Sequence, residues 1–109
     1  MLKGIDPLLS AELLKILREM GHGDEIAVVD ANFTATTLGI GKPVVQMIGA
    51  DLRQTCHAIL SVFPLDTDIT HAVGFMKFGD TAEGFISQTQ QNVIDIVKIN
   101  SSTAQCEAI

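Results

Sequence analysis

The chain has no tryptophan and no tyrosine, only two cysteines, and seven basic residues among 109. The basic residues are scattered and outnumbered by thirteen acidic ones, giving a formal charge of −6. Nucleic acid needs clustered Lys and Arg, so it is excluded as a partner. Cys56 and Cys106 cannot build a disulfide scaffold, and neither belongs to a CxxC pair. A reduced, cytoplasmic setting is therefore expected. No window reaches the run of about 18 apolar residues that a membrane span needs. Residues 1–7 also lack the apolar core of a secretory leader. There is no GxGxxG, and Gly39-Ile40-Gly41-Lys42-Pro43 lacks the GK[ST] ending that cradles a phosphate. HExxH, EF-hand and cysteine-bearing zinc patterns are missing too, so a metal site is not expected.

What is present is a fatty chain, 47% hydrophobic and 18% charged. At this length one domain is expected, burying roughly 60 to 70% of the surface its unfolded chain exposes. So much apolar surface on a small domain implies self-association. No repeat or low-complexity segment interrupts the pattern.

Ser10 caps a predicted helix whose Leu13, Leu14, Ile16, Leu17 and Met20 share one face, and Gly21 supplies a stop. Residues 26–29, Ile-Ala-Val-Val, read as a buried strand, and 31–43 as a long loop leaving it. Residues 44–47 read as a second strand. Asp51 and Gln54 have the spacing of a capping box before a helix bearing Leu52, Cys56, Ile59, Leu60 and Phe63, which ends at Pro64. A strand over 72–78, a polar surface helix over 81–92 and a last strand over 94–99 complete the reading. Helix and strand alternate throughout, which predicts an α/β layered fold with a largely parallel central sheet flanked by helices.

The chemistry concentrates in Gly21-His22-Gly23-Asp24-Glu25, an imidazole and two carboxylates in the turn between the first helix and first strand. Polar groups at the mouth of a strand are held rigidly while their heads reach solvent. An imidazole at a helix end is also a good partner for the helix dipole. Glycine on both sides, however, leaves space for a ligand to approach His22. Asp24 and Glu25 fit solvated turn residues. Asp30, after the apolar run, and Asp66, in Pro64-Leu65-Asp66-Thr67-Asp68, are each either turn-formers or ligand contacts. His57 and His71 have no acidic pattern beside them and read as structural or surface residues.

Leu2-Lys3-Gly4, Leu8-Leu9-Ser10, Glu12-Leu13-Leu14, Met20-Gly21-His22-Gly23-Asp24-Glu25-Ile26 and Asp30-Ala31-Asn32-Phe33 resemble the amino-terminal half of L-fucose mutarotases, relatives of D-ribose pyranases. Ala58-Ile59-Leu60 and Phe63-Pro64-Leu65-Asp66-Thr67 continue the likeness. It is good over 1–68 and weaker beyond. The pairing of MGHGDE with DANF is its most specific part, and it favours the fucose branch.

The resemblance implies a cofactor-free isomerase that interconverts the anomers of a free monosaccharide. It implies His22 as acid/base residue and Asp30 and Asp66 as holders of sugar hydroxyls. Ring-shaped pentamers, often stacked as decamers, are the implied assembly. Phe33 is a candidate for an apolar sugar face, with a core role as its alternative. The family pattern also carries tyrosines in a later helix and strand, which this chain lacks; Ser101-Ser102 stands where a basic, aromatic stretch is expected, and Thr34 replaces a proline. A domain shortened at its carboxy end is the expectation, with a non-catalytic sugar-binding or regulatory relative as the alternative function.

Overall fold

The computed structural model describes residues 1–77, 79, 84–101 and 104–109. Ser10 starts helix α1, Ala11–Glu19, by accepting the Leu13 N–H on its hydroxyl at 3.1 Å. The helix ends at Glu19, two residues before Gly21, with Met20 turning extended at φ −68° and ψ 135°. Leu13 and Leu17, one turn apart on α1, are buried with Leu9.

They meet Ala58 and Ile59 of helix α3, Leu52–Leu60, to make the main core. Asp51 and Gln54 form the expected capping box at the start of α3, each side chain satisfying the other's backbone N–H at 2.7 and 2.9 Å. Two orphan donors are thereby paired.

Between these helices the predicted strands at 26–29 and 44–47 are extended but do not join the sheet. Their side chains alternate, where the sequence read 26–29 as buried throughout: Ile26, Val28, Val45 and Met47 pack on the core, while Ala27, Val29, Val44 and Gln46 face outward. Among the described residues no main-chain hydrogen bond ties 26–29 or 43–46 to a neighbouring strand. An apolar run supplies side chains for a core, but a ladder needs a partner backbone as well.

The 31–43 loop contains a short helix α2, Ala35–Leu38. Gly39 closes it under the chain, since a Cβ there would lie 2.7 Å from the Ala35 carbonyl oxygen and 2.9 Å from a Val44 methyl.

The carboxy-terminal third corrects the sequence reading. Strand β1 covers only Val73–Phe75 of the expected 72–78, and Phe78 lies outside the described residues. Of the helix expected over 81–92, residues 81–83 are likewise outside the described residues, and 84–87 are not helical.

Helix α4 runs Gln88–Asn100 and absorbs the whole segment 94–99 read as a strand. Its start is a second capping box, Ser87 with Gln90, whose S-x-x-Q spacing was present in the sequence. Valine and isoleucine favour strands by propensity, but here Ile94, Ile96 and Val97 are buried and α4 packs on α3. Packing overrides a preference worth only tenths of a kcal/mol per residue.

Strand β2, Cys106–Ala108, returns parallel to β1 with Val73 opposite Cys106, Gly74 opposite Glu107 and Phe75 opposite Ala108. The fold is mixed α/β with a small parallel sheet, and α4 is the crossover that parallel pairing requires.

Candidate functional site

Two turns that follow packed helices build the site. After α1, residues 21–24 fold back on themselves: the Asp24 carboxylate accepts the Gly21 N–H at 2.8 Å, and the Asp24 N–H donates to the Gly21 carbonyl at 3.1 Å. Gly23 holds φ +87°, where any side chain would be strained, so this turn needs glycine there. Asp24 therefore works as a turn-former. His22 sits at the tip with its side chain 87% exposed.

After α3, Asp66 shapes the second turn by accepting the Asp68 N–H on Oδ1 at 2.8 Å. Because α1 and α3 share one core, these two turns come together across a separation of 44 residues, and His22 Nδ1 lies 3.3 Å from Asp66 Oδ2. The Asp66 side chain keeps only 25% of its exposure. Its carboxyl is held below the usual carboxylate range, first by the Asp68 N–H and then by the hydrogen bond to His22.

A cleft of about 130 Å³ adjoins Asp66, walled by Leu65, Thr67, Ile69, Thr70 and Ser101 among others. A larger cavity of about 370 Å³ between the ends of α3 and α4 shares Leu65 and Ser101 with it but contains neither His22 nor an acid. Asp66 thus both pairs with the exposed imidazole and lines the smaller cleft.

Asp30 is placed differently. Its Oδ1 accepts the Asn32 N–H at 2.8 Å and its carbonyl accepts the Phe33 N–H at 3.2 Å, the turn-forming role that its position also allowed. Among the described residues no hydrogen bond or ion pair links Asp30 to His22 or Asp66. Phe33 is exposed, not part of the core. Glu25 is exposed, as is His57 on α3. His71 pairs with Glu107 at 3.3 Å, linking the approach to β1 with β2.

Sequence reasoning overlooked Asp68, whose backbone holds Asp66 in place. The D-x-D spacing of Asp66 and Asp68 is the signal that was available, because an Asx turn uses the N–H two residues on. His22, Asp66 and Asp68 also bring one potential metal-binding atom each within 4.8 Å of one another.

The chain matches the RbsD / FucU transport protein family over residues 3–109. It belongs to that family. L-fucose mutarotases of Actinobacillus pleuropneumoniae serotypes 5b and 3 are each 35% identical to it across 100% of this chain and 74% of their own length. The crystal structure of Atu2016, a candidate sugar-binding protein, superposes with a TM-score of 0.88 at 34% identity, again over 100% of this chain and 74% of that one. The chain thus spans about three-quarters of the length of these relatives. In this family member the two turns carrying His22 and Asp66 are the places where polar chemistry is concentrated.

Proposed function

We propose that the chain is an isomerase, a sugar mutarotase that interconverts the α and β anomers of a free monosaccharide, L-fucose foremost. The observation that carries this reading is the His22–Asp66 pair, set in a chain 35% identical to L-fucose mutarotases over its full length.

Opening a hemiacetal takes a proton off the anomeric hydroxyl and puts one on the ring oxygen as the bond between that oxygen and the anomeric carbon breaks. Rotation of the freed aldehyde and reclosure on its other face reverse both transfers. No atom is gained or lost. His22 is the residue assigned to these transfers, because imidazole can give or take a proton near neutrality and this one is open to solvent.

Carboxylates offer only acceptors, which suits them to sugar hydroxyls. Asp30 and Asp66 are assigned that role, and the exposed Phe33 ring is available to an apolar sugar face. Asp30 would have to be approached by the sugar from its own turn, as it makes no direct bond to the pair. The chemistry moves protons between oxygens and calls for no cofactor.

We further propose a cytoplasmic homo-oligomer, pentameric or decameric. Unpaired thiols at Cys56 and Cys106 suit a reducing compartment. Exposed Val29, Val44 and Ile48 and the backbone of 26–29 and 43–46, which pairs with no strand among the described residues, supply surface for association.

The likeness to Atu2016 keeps a second reading in play, a sugar-binding relative without turnover. Exchange NMR on L-fucose anomers separates the two. The protein is expected to accelerate anomer exchange, and His22→Ala to return it toward the uncatalysed rate, a loss on the order of 10²-fold. Sugar binding with exchange left at its uncatalysed rate would establish the second reading instead.

A further inference from the structure

We propose that His71 and Glu107 are positioning residues that hold the two walls of the cleft beside Asp66 at a fixed width, and so set which substituent on the sugar ring the cleft accepts. This rests on the sugar reading of the site and deepens it, adding a determinant of specificity that touches no sugar.

The cleft lies between the approaches to the two strands. One wall is the approach to β1, with Ile69, Thr70 and Ala72; the other follows α4, with Ser101, Ala104 and Gln105. Just beyond, the walls join in the parallel ladder, where Val73 stands opposite Cys106. His71 comes from the first wall and Glu107 from β2, and Nδ1 of one lies 3.3 Å from Oε2 of the other. The pair therefore ties wall to wall where they converge.

Little else secures the second wall. Strand β2 is three residues long, and past its ladder the chain is fixed by the Ile109 N–H on the Phe75 carbonyl at 2.9 Å and the Lys77 N–H on the Ile109 carbonyl at 3.1 Å. Short peripheral strands open locally at far less cost than the whole fold. With side chains 35% and 49% exposed, the pair adds little to global stability. The same small energy is a large share of what keeps a three-residue strand seated. Among the described residues neither side chain has a second ion-pair partner.

The size of the cleft says what it takes. At about 130 Å³ it is well below the volume of a whole ligand site, so it admits one edge of a pyranose and the substituent there. Ile69, Ala72 and Ala104 suit a methyl group, and a hydroxymethyl group needs more width. An apolar space rejects an added hydroxyl by no more than about 100-fold, so a modest widening is enough to erode the preference.

A double-mutant cycle of His71→Ala, Glu107→Ala and both together tests the pair. Without sugar, at about pH 6 where imidazole carries charge, amide hydrogen exchange at Ile109 reads opening of the strand. Exchange at Ala104, whose N–H bonds to the Ser101 carbonyl at 3.2 Å, reads the cleft wall. Each single variant is expected to speed both by up to about fivefold, the scale of a partly exposed pair. The double variant should go no further, and the urea midpoint should hold. L-galactose carries a hydroxyl on the carbon that is a methyl in L-fucose. The KM preference for L-fucose over L-galactose should fall at least about twofold in all three variants, while kcat for L-fucose holds, because no group assigned to proton transfer is altered.

Equal exchange in all four proteins, or single effects that add up in the double variant, overturns the proposal. A urea midpoint that drops in step with the exchange does so too, since the effect is then global. An undiminished preference for L-fucose despite faster exchange at Ala104 would make the pair a prop for β2 alone. If neither sugar is bound or turned over, the sugar reading of the site fails, and the Ala104 amide still decides whether the pair holds the wall.

Discussion

The carboxyl of Asp66 loses its proton more easily than an ordinary aspartic acid because two donors, the Asp68 N–H and His22, prefer it charged. A lowered value in the folded chain means a contribution to stability that is present above the ordinary Asp value of about 3.9 and lost as pH falls through the lowered one. A ¹³C carboxyl titration of Asp66 should therefore have its midpoint below about 3.9. In His22→Ala the midpoint should move only part of the way back, since the Asp68 N–H is the larger cause. Full recovery to the ordinary value in that variant would show the turn hydrogen bond to be idle. Asp30 also accepts a backbone N–H, from Asn32, but it faces no imidazole in a hydrogen bond. The difference between the two aspartates is a matter of which turn lies across from them.

Helix starts and helix faces carry most of the local specification. Asp51 and Ser87 each satisfy the backbone N–H three residues on, and each is answered by the glutamine there. Asp51→Ala should lower the unfolding free energy by about 1 kcal/mol, measured by urea denaturation, with the slope unchanged. A smaller loss at Asp51 than at an exposed residue such as Arg53 would count against the box. Deeper in, Ala58 has no exposure at all where α3 meets α1. Ala58→Leu is expected to cost about 1 to 3 kcal/mol through overpacking. Because that contact brings the two turns together, the same variant should also weaken the His22–Asp66 bond, seen as a rise in the Asp66 carboxyl midpoint. Leu13→Ala removes volume from the same place and should cost about 2 to 5 kcal/mol.

For the whole molecule, the unpartnered feature is the pair of extended segments lying on the core. Their inner side chains are accounted for, but their backbone groups make no main-chain hydrogen bond to a neighbouring strand among the described residues, and Val29 and Val44 are exposed. Exposed strand edges of this kind favour pairing with another chain. Light scattering on the purified protein should give a mass that is a multiple of the 11.7 kDa chain. Val44→Glu should reduce that mass while circular dichroism keeps its helical signal. A monomer throughout the concentration range would remove the proposed assembly while leaving the His22–Asp66 pair untouched, since both residues come from one chain.

What the sequence determined by itself was local. The Ser10 cap, the Asp51–Gln54 box and the inward faces of α1 and α3 all follow from spacing alone, because neighbours along the chain define them. His22 stood out for the same reason, as an imidazole flanked by glycines in a turn. Tertiary structure alone decided that 94–99 is helical, since a β-branched run becomes helix when a capping box starts it and a neighbouring helix buries its face. It alone decided that Asp66, and not Asp24, Glu25 or Asp30, meets the imidazole. Spacing along the chain says nothing about a partner 44 residues away, and only the packing of α1 against α3 brings it there.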